Sequence, residues 1–191
     1  MTWTLEQITR RAAAEIRDGD CVNLGPGLPA RVADWIAPDR HVWLHQDNVL
    51  SGAGLRFFVD AFALVHGGHV DLVMVEALEV SEQGDLATGS TPGNMPNGAG
   101  NLMDLVVGAR RVVVLMNHTS LCGAQRIVSE CELPLSGAKV VNRVITELGI
   151  IDVTLHGLQL VELAEGVSLS EISNKTGVAL NLVVDERAGL M

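Results

Sequence analysis

Residues 21–29, Cys21-Val22-Asn23-Leu24-Gly25-Pro26-Gly27-Leu28-Pro29, decide the fold class. A short apolar strand runs into Gly-Pro-Gly, and a helix is then expected over Leu28 to Ile36, stopped before Pro38. On the amino-terminal side, Thr4 and Gln7 have capping-box spacing. Leu5, Ile8, Ala12 and Ile16 recur at helical intervals, and Gly19 is placed to close that helix. Its other face carries Glu6, Arg10, Arg17 and Asp18, so the helix lies on the surface. On the carboxyl side, His41 to Gln46 reads as a second strand and Asp47 to Gly54 as a turn. Phe57 to Val65 is apolar and leads to Gly67-Gly68.

The pattern then repeats. Asp71 to Ala77 reads as a buried strand, and Glu79 to Thr88 as a hairpin turning at Gln83-Gly84-Asp85. Ser90 to Gly100 is a glycine- and proline-rich loop, and Asn101 to Val107 a short helix. Arg111 to Met116 is the strongest strand signal, being almost wholly β-branched and apolar. Later strands are expected at Lys139 to Val144, Gln159 to Leu163 and Leu180 to Val184, with Ser168 or Ser170 capping a helix over Glu171 to Lys175. Apolar strands alternating with helices predict an α/β fold, an open and largely parallel sheet covered by helices on both faces. No repeat or linker interrupts it, so residues 1–191 read as a single domain.

Hydrophobic residues make up 48% of the chain and aromatic ones 3%, so the core must be built from aliphatic side chains. The formal net charge of -10 repels nucleic-acid phosphates and anionic lipid. An anionic ligand would need local backbone N–H groups or a partner's positive charge. Cys21, Cys122 and Cys131 are sparse and lack CxxC spacing, which argues against a disulfide framework or a zinc site. The amino terminus has no signal-peptide pattern, and no apolar run reaches membrane-spanning length. A cytoplasmic protein is expected, with neither nucleic acid nor membrane as partner.

Ligands of open α/β sheets bind beyond the carboxyl ends of the strands. Two segments fall there. Gly25 and Gly27 would let backbone N–H groups approach a ligand or an oxyanion, although the plainer reading is a tight strand-to-helix turn. In Leu44-His45-Gln46-Asp47-Asn48-Val49-Leu50-Ser51-Gly52, a carboxylate and an amide follow a strand. Asp47 is then a candidate nucleophile or base, or simply, with Asn48, a turn former. His66-Gly67-Gly68-His69-Val70-Asp71 has an H-x-x-H-x-D pattern, but its glycine turn favours Asp71 as a turn-ordering residue over a metal site. His118 and Cys122 invite a Cys–His reading, against which stands the usual role of cysteine as a small buried hydrophobe.

Taken in order, several segments resemble the B-type chain of class I CoA-transferases, the 3-oxoacid type above all. Asn23 to Pro29 is similar to that family's N-L-G-x-G-[IL]-P loop, and Gly67 to Leu72 to its G-G-H-[IV]-D-L segment. Pro92-Gly93 through Gly98-Ala99-Gly100 to Met103-Asp104-Leu105-Val106 is similar to its P-G-x-M-x-x-G-x-G-x-x-M-D-L-V stretch. His118-Thr119, Cys131 to Gly137 and Glu162 to Val167 complete the set. The resemblance implies a Rossmann-like sheet and an enzyme that moves CoA between carboxylic acids. It implies an acyl anhydride and then a CoA thioester on a carboxylate of the B-type chain, here Asp47 with Asn48 beside it. Gly25, Gly27, Gly98 and Gly100 would contact substrate or CoA. No cofactor is implied other than coenzyme A as substrate, and an A-type subunit would complete the site of a hetero-oligomer acting on an acyl-CoA and a small carboxylic acid.

The family's signature, L-[HQ]-S-E-N-G followed by apolar residues and a small one, is matched at Leu44, His45, Asn48 and Leu50, but Gln46 stands for Ser, Asp47 for the catalytic Glu and Val49 for Gly. The chain is also expected to be shorter than its relatives between Gly54 and Phe57. Aspartate retracts the carboxylate by about 1 Å, a misplacement that costs on the order of a hundredfold in rate. An acyl-CoA decarboxylase or hydrolase of the same fold, and a non-catalytic structural subunit, are therefore the alternative readings.

Overall fold

Thr4 starts the first element with both halves of a capping box. Gln7 N–H donates to the Thr4 hydroxyl at 3.2 Å, and Thr4 N–H donates to Gln7 Oε1 at 2.8 Å. In the computed structural model, residues 2–46, 49–52, 55–58, 67–89 and 99–182 are described. Helix α1 is Leu5–Ala13; it stops well before Gly19, which instead takes a φ of +85° in a later turn and donates to His41 O. Strand β1 (Cys21–Leu24) follows, then a 3-10 helix (Pro29–Trp35), β2 (Trp43–Gln46), β3 (Val49–Gly52) and β4 (Leu55–Phe58). Next come β5 (Leu72–Glu76), β6 (Glu79–Ser81), β7 (Leu86–Ala87), α2 (Ala99–Gly108), β8 (Val112–Leu115) and β9 (Ile127–Val128). The chain closes with β10 (Arg143–Ile145), β11 (Gly149–Thr154), β12 (Gly157–Leu163), α3 (Leu169–Lys175, capped by Ser168) and β13 (Leu180–Leu182).

One ten-stranded sheet carries the fold, in the order β13-β12-β11-β10-β8-β5-β1-β2-β3-β4. Its middle, β10-β8-β5-β1-β2, is parallel throughout. Antiparallel pairs flank it on both sides, β2-β3-β4 and β10-β11-β12. A second sheet of order β7-β6-β9 contains the expected hairpin, turning at Gly84 with φ +86°.

The strand period of two splits the aliphatic side chains between two cores. Leu72 and Met74 of β5 and Val113 and Leu115 of β8 face one way, onto Ile8 and Ala12 of α1 and Val32 of the 3-10 helix. Val73, Val75, Val112 and Val114 face the other way, onto Leu105 and Val106 of α2, Ile172 of α3 and the small sheet. Both faces are thus covered, as near-continuous apolar runs such as Leu72–Glu76 require. An ion-pair chain pins the first helical layer to the sheet: Glu15 takes Arg111 and Arg143, Arg143 also takes Asp152, and Arg11 takes Glu162.

Three further expectations are corrected. The helix over residues 28–36 is a 3-10 helix, started by buried Pro29 with no side-chain cap. The turn over residues 47–54 contains strand β3, whose antiparallel register with β2 pairs Gln46 with Val49. The strand at residues 139–144 shrinks to Arg143–Ile145, and Gly149–Thr154 is a six-residue strand that the sequence had not marked.

Candidate active site

The chain runs from β1 to β2 on one side of β1, then to β5, β8 and β10 on the other. The direction of winding therefore reverses between β1 and β5. In open α/β sheets, ligands bind in the crevice outside the carboxyl ends at such a switch point. A cleft of about 610 Å³ opens there, walled by Gly27, Leu28 and Arg31 after β1, Glu76 and Leu78 at the end of β5, and Met116 and Asn117 after β8. Its volume lies in the range of small-molecule sites.

The glycine loop is pressed against β5. Gly25 N–H donates to Met74 O at 2.8 Å, and a Cβ on Gly25 would stand 3.1 Å from that oxygen. Gly27 has φ +81°, and a Cβ there would lie 2.7 Å from Glu76 Oε1. The Glu76 carboxylate in turn accepts the Leu28 N–H at 2.7 Å. The sequence offered Gly25 and Gly27 together as N–H donors to a ligand; the structure commits Gly25 N–H to β5. Gly27 N–H makes no hydrogen bond among the described residues, and Gly27 lines the cleft.

Strand β2 leaves the sheet beside this loop. Asn23 and His45 are register partners on β1 and β2, both buried, and the Asn23 amide donates to His45 Nδ1 at 3.0 Å and to His45 O at 3.1 Å. That pair fixes the end of β2 against β1, and β2 ends at Gln46. Asp47, Asn48 and Gly98 lie outside the described residues. Gly100 falls in the first turn of α2.

The family whose model matches is "Coenzyme A transferase", over residues 59–175. The B-type chain of a probable succinyl-CoA:3-ketoacid coenzyme A transferase from Bacillus subtilis is 39% identical over 198 residues, covering 90% of this chain and 92% of that one. The chain belongs to the coenzyme A transferase family. Among solved structures, an acyl-CoA transferase from Escherichia coli O157:H7 is similar at 18% identity and a TM-score of 0.77, over 97% of this chain and 43% of that one. The decarboxylase AibA/AibB is similar at 21% identity and a TM-score of 0.69, over 94% of this chain and 86% of that one. At those identities the two structures speak for the fold alone. The alignment with the Bacillus protein runs to 198 positions, whereas 90% of 191 residues is about 172, so roughly 26 of its positions have no counterpart in this chain. The family match begins at residue 59, after the altered signature.

Within this family fold, the Cys–His reading does not hold. His118 is fully buried, with Nδ1 3.0 Å from Thr146 Oγ1 and Nε2 2.9 Å from Thr176 Oγ1. The Thr176 hydroxyl donates to Ile172 O at 2.7 Å, so it accepts from Nε2–H. With its lowered pKa, the ring is neutral near pH 7 and Nδ1 accepts from the Thr146 hydroxyl, which lies farther, at 3.4 Å, from its other acceptor, Gly149 O. Burial, and then the charge of Lys175, push the ring's pKa from 6.5 down to about 4. Cys122 is exposed with its sulfur 3.0 Å from Ser120 Oγ, a bond that lowers the thiol pKa.

Asp71 was expected to order the Gly67-Gly68 turn; instead it accepts the Cys21 N–H at 2.9 Å and pairs with Arg110 at 3.0 Å, tying the start of β5 to β1 and to the segment after α2. His66 lies outside the described residues, among which no group of three metal-binding side chains converges. Nor is any helix there long and apolar enough to cross a membrane.

Sequence reasoning missed Glu76, Arg31 and Arg126, all of which line the cleft. Glu76 had a usable signal, since it is the one charged residue in the strand Leu-Val-Met-Val-Glu. The arginines had none, because only the switch-point geometry brings residues 31 and 126 to one cavity.

Proposed function

We propose that this chain is the B-type member of a heteromeric CoA-transferase, paired with an A-type subunit, and that Asp47 is its nucleophile. The succinyl-CoA:3-ketoacid name belongs to the Bacillus relative, and the acyl group used here is left at an acyl-CoA and a small carboxylic acid. The Asp47 carboxylate attacks the thioester carbonyl, the C–S bond breaks, and CoA leaves as thiolate from a mixed anhydride. The thiolate then attacks the aspartyl carbonyl, which releases the first carboxylic acid and leaves CoA on Asp47 as a thioester. The acceptor carboxylate reverses both steps. Each addition places negative charge on a carbonyl oxygen, and Gly27 N–H, which has no hydrogen bond among the described residues, is a donor at the cleft that could meet it. Asn48 orients the nucleophile, while Gly98 and Gly100 contribute to the CoA side. The chemistry requires no cofactor besides CoA, and a cytoplasmic site of action fits that substrate.

The observation that carries this reading is the exit of β2. It is parallel to β1 and side-chain bonded to it, and it ends at Gln46, one residue before Asp47, at the same edge of the sheet as the glycine loop. The test is to incubate the heteromer with acyl-CoA and reduce it with borohydride. A mass change on the peptide containing Asp47, absent in Asp47→Asn, is the expected result. Acyl-CoA consumed with no adduct would favour the decarboxylase or hydrolase alternative. Acyl-CoA left untouched with the A-type subunit present would favour a structural role.

A further inference from the structure

The chain has a net charge of -10, yet its switch-point cleft holds more positive than negative groups among the described residues. Arg31 and Arg126 line it, and Glu76 is the one carboxylate that does. Outside the cleft, Arg11, Arg110, Arg111, Arg143 and Lys175 are each paired with a carboxylate, whereas Arg10, Arg17, Arg40 and Lys139 have no such pair among the described residues. Neither Arg31 nor Arg126 comes within 4.0 Å of a described carboxylate oxygen. Glu76 is occupied by the Leu28 N–H and by its seat against Gly27.

Arg126 is also held in place. Its N–H donates to His118 O at 3.3 Å, its carbonyl accepts from Val80 N–H at 2.9 Å, and its residue is partly buried. Arg31 sits in the 3-10 helix directly after the glycine loop, its N–H donating to Leu28 O. The remaining wall includes Leu5, Leu28, Leu78 and Met116. An apolar wall with two guanidinium groups that no described carboxylate neutralises suits a ligand with an apolar body and an anionic oxygen group. Planar guanidinium forks match carboxylates and phosphates.

We propose that Arg31 and Arg126 form an anion-recognition site in this cleft, binding a carboxylate of the acid or a phosphate of the CoA moiety. The proposal rests on the cleft being the CoA-transferase site. It is tested by calorimetry, which requires no turnover, so a failure of the Asp47 chemistry and a failure of this site are separable.

The probes are CoA, pantetheine, succinate and butyrate, titrated into the heteromer carrying wild-type chain, Arg31→Gln, Arg126→Gln or Arg126→Lys. Arg17→Gln, which lies outside the cleft, controls for net charge. Loss of one charge-assisted hydrogen bond predicts binding about tenfold or more weaker in each glutamine variant. Weakening for CoA but not pantetheine identifies a phosphate, and weakening for the acids identifies a carboxylate. Arg126→Lys retains most of the affinity. Wild-type affinity for all four probes in both glutamine variants overturns the proposal. So does a wild-type heteromer that binds none of them, an Arg126→Lys variant as weak as Arg126→Gln, or an equal loss in Arg17→Gln.

Discussion

Acidification should destabilise this chain through one histidine. His118 is neutral and fully buried in the native state, its ring held between Thr146 and Thr176, with a pKa lowered from 6.5 to about 4. Because the native value is the lower one, the unfolded chain binds this proton first as pH falls. The stabilisation is complete above pH 6.5, is lost progressively below it, and is gone once the pH is below about 4. At about 1.4 kcal/mol per pKa unit, the whole effect is about 3 kcal/mol, of which about 2 kcal/mol falls between pH 7 and 4.5. Urea denaturation at those two pH values measures it, with His118→Gln as reference, since an amide can still bridge two hydroxyls but does not titrate. Wild type should lose about 2 kcal/mol more than His118→Gln over that interval. Equal losses in the two proteins would mean that His118 takes up no extra proton on unfolding, and the burial argument would be wrong.

Glu76→Ala frees the Leu28 N–H and should lower kcat/KM by about tenfold, whereas Glu76→Gln, still an acceptor, should stay within about threefold of wild type; steady-state kinetics of the heteromer decides. Gly149→Ala would place a Cβ 2.3 Å from Glu162 O in the β11–β12 ladder, so its urea midpoint should reflect a loss of about 3 kcal/mol. Glu15→Ala takes the shared carboxylate from Arg111 and Arg143. Both arginines are about a quarter exposed, so the loss should be about 1–2 kcal/mol rather than the larger cost of breaking a fully buried pair, and it should shrink in high salt. Asp47→Glu moves the proposed nucleophile by one methylene and should change the adduct-forming rate by on the order of a hundredfold; single-turnover kinetics within threefold of wild type would show that reach is not limiting.

The parts of the fold legible in the sequence were those where burial leaves one choice of residue. Leu72–Glu76 and Val112–Leu115 are covered on both faces, so both alternating sets are aliphatic and the strands announce themselves. Thr4 was legible, and Ser168 was one of two candidates beside Ser170, because a cap requires a side-chain acceptor at one position. Strand β11 was not. It carries Asp152 and Thr154 within a Gly-initiated run, and Asp152 is acceptable there only because Arg143, its register partner on β10, neutralises it across the ladder. Likewise Pro29–Trp35 has apolar spacing that serves a 3-10 or an α-helix equally, and the choice falls to packing against β1 and α1. In the site, the glycine loop was visible as a motif. Its anchor on Glu76 was not, because 48 residues separate Leu28 from that carboxylate and the pairing of β1 with β5 brings them together.

The pairing of β1 with β2 constrains where any nucleophile after β2 can stand. Cys21, Val22 and Asn23 pair with Trp43, Leu44 and His45, and the buried Asn23–His45 bond locks the last of these steps. A one-residue slip of β2 would turn His45 out of its buried position and Leu44 to the opposite face, so the strand cannot slide to compensate for a shorter side chain. Nor can the glycine loop advance, because Gly25 is hydrogen-bonded to Met74 and Gly27 is seated on Glu76. Under the proposed role of Asp47, fixed strand exits favour a reach that is made up on the ligand's side of the cleft. A ligand drawn in by Arg31 and Arg126 is one physical means of doing so, which ties the shortened carboxylate and the two cleft arginines to a single requirement on where the thioester sits.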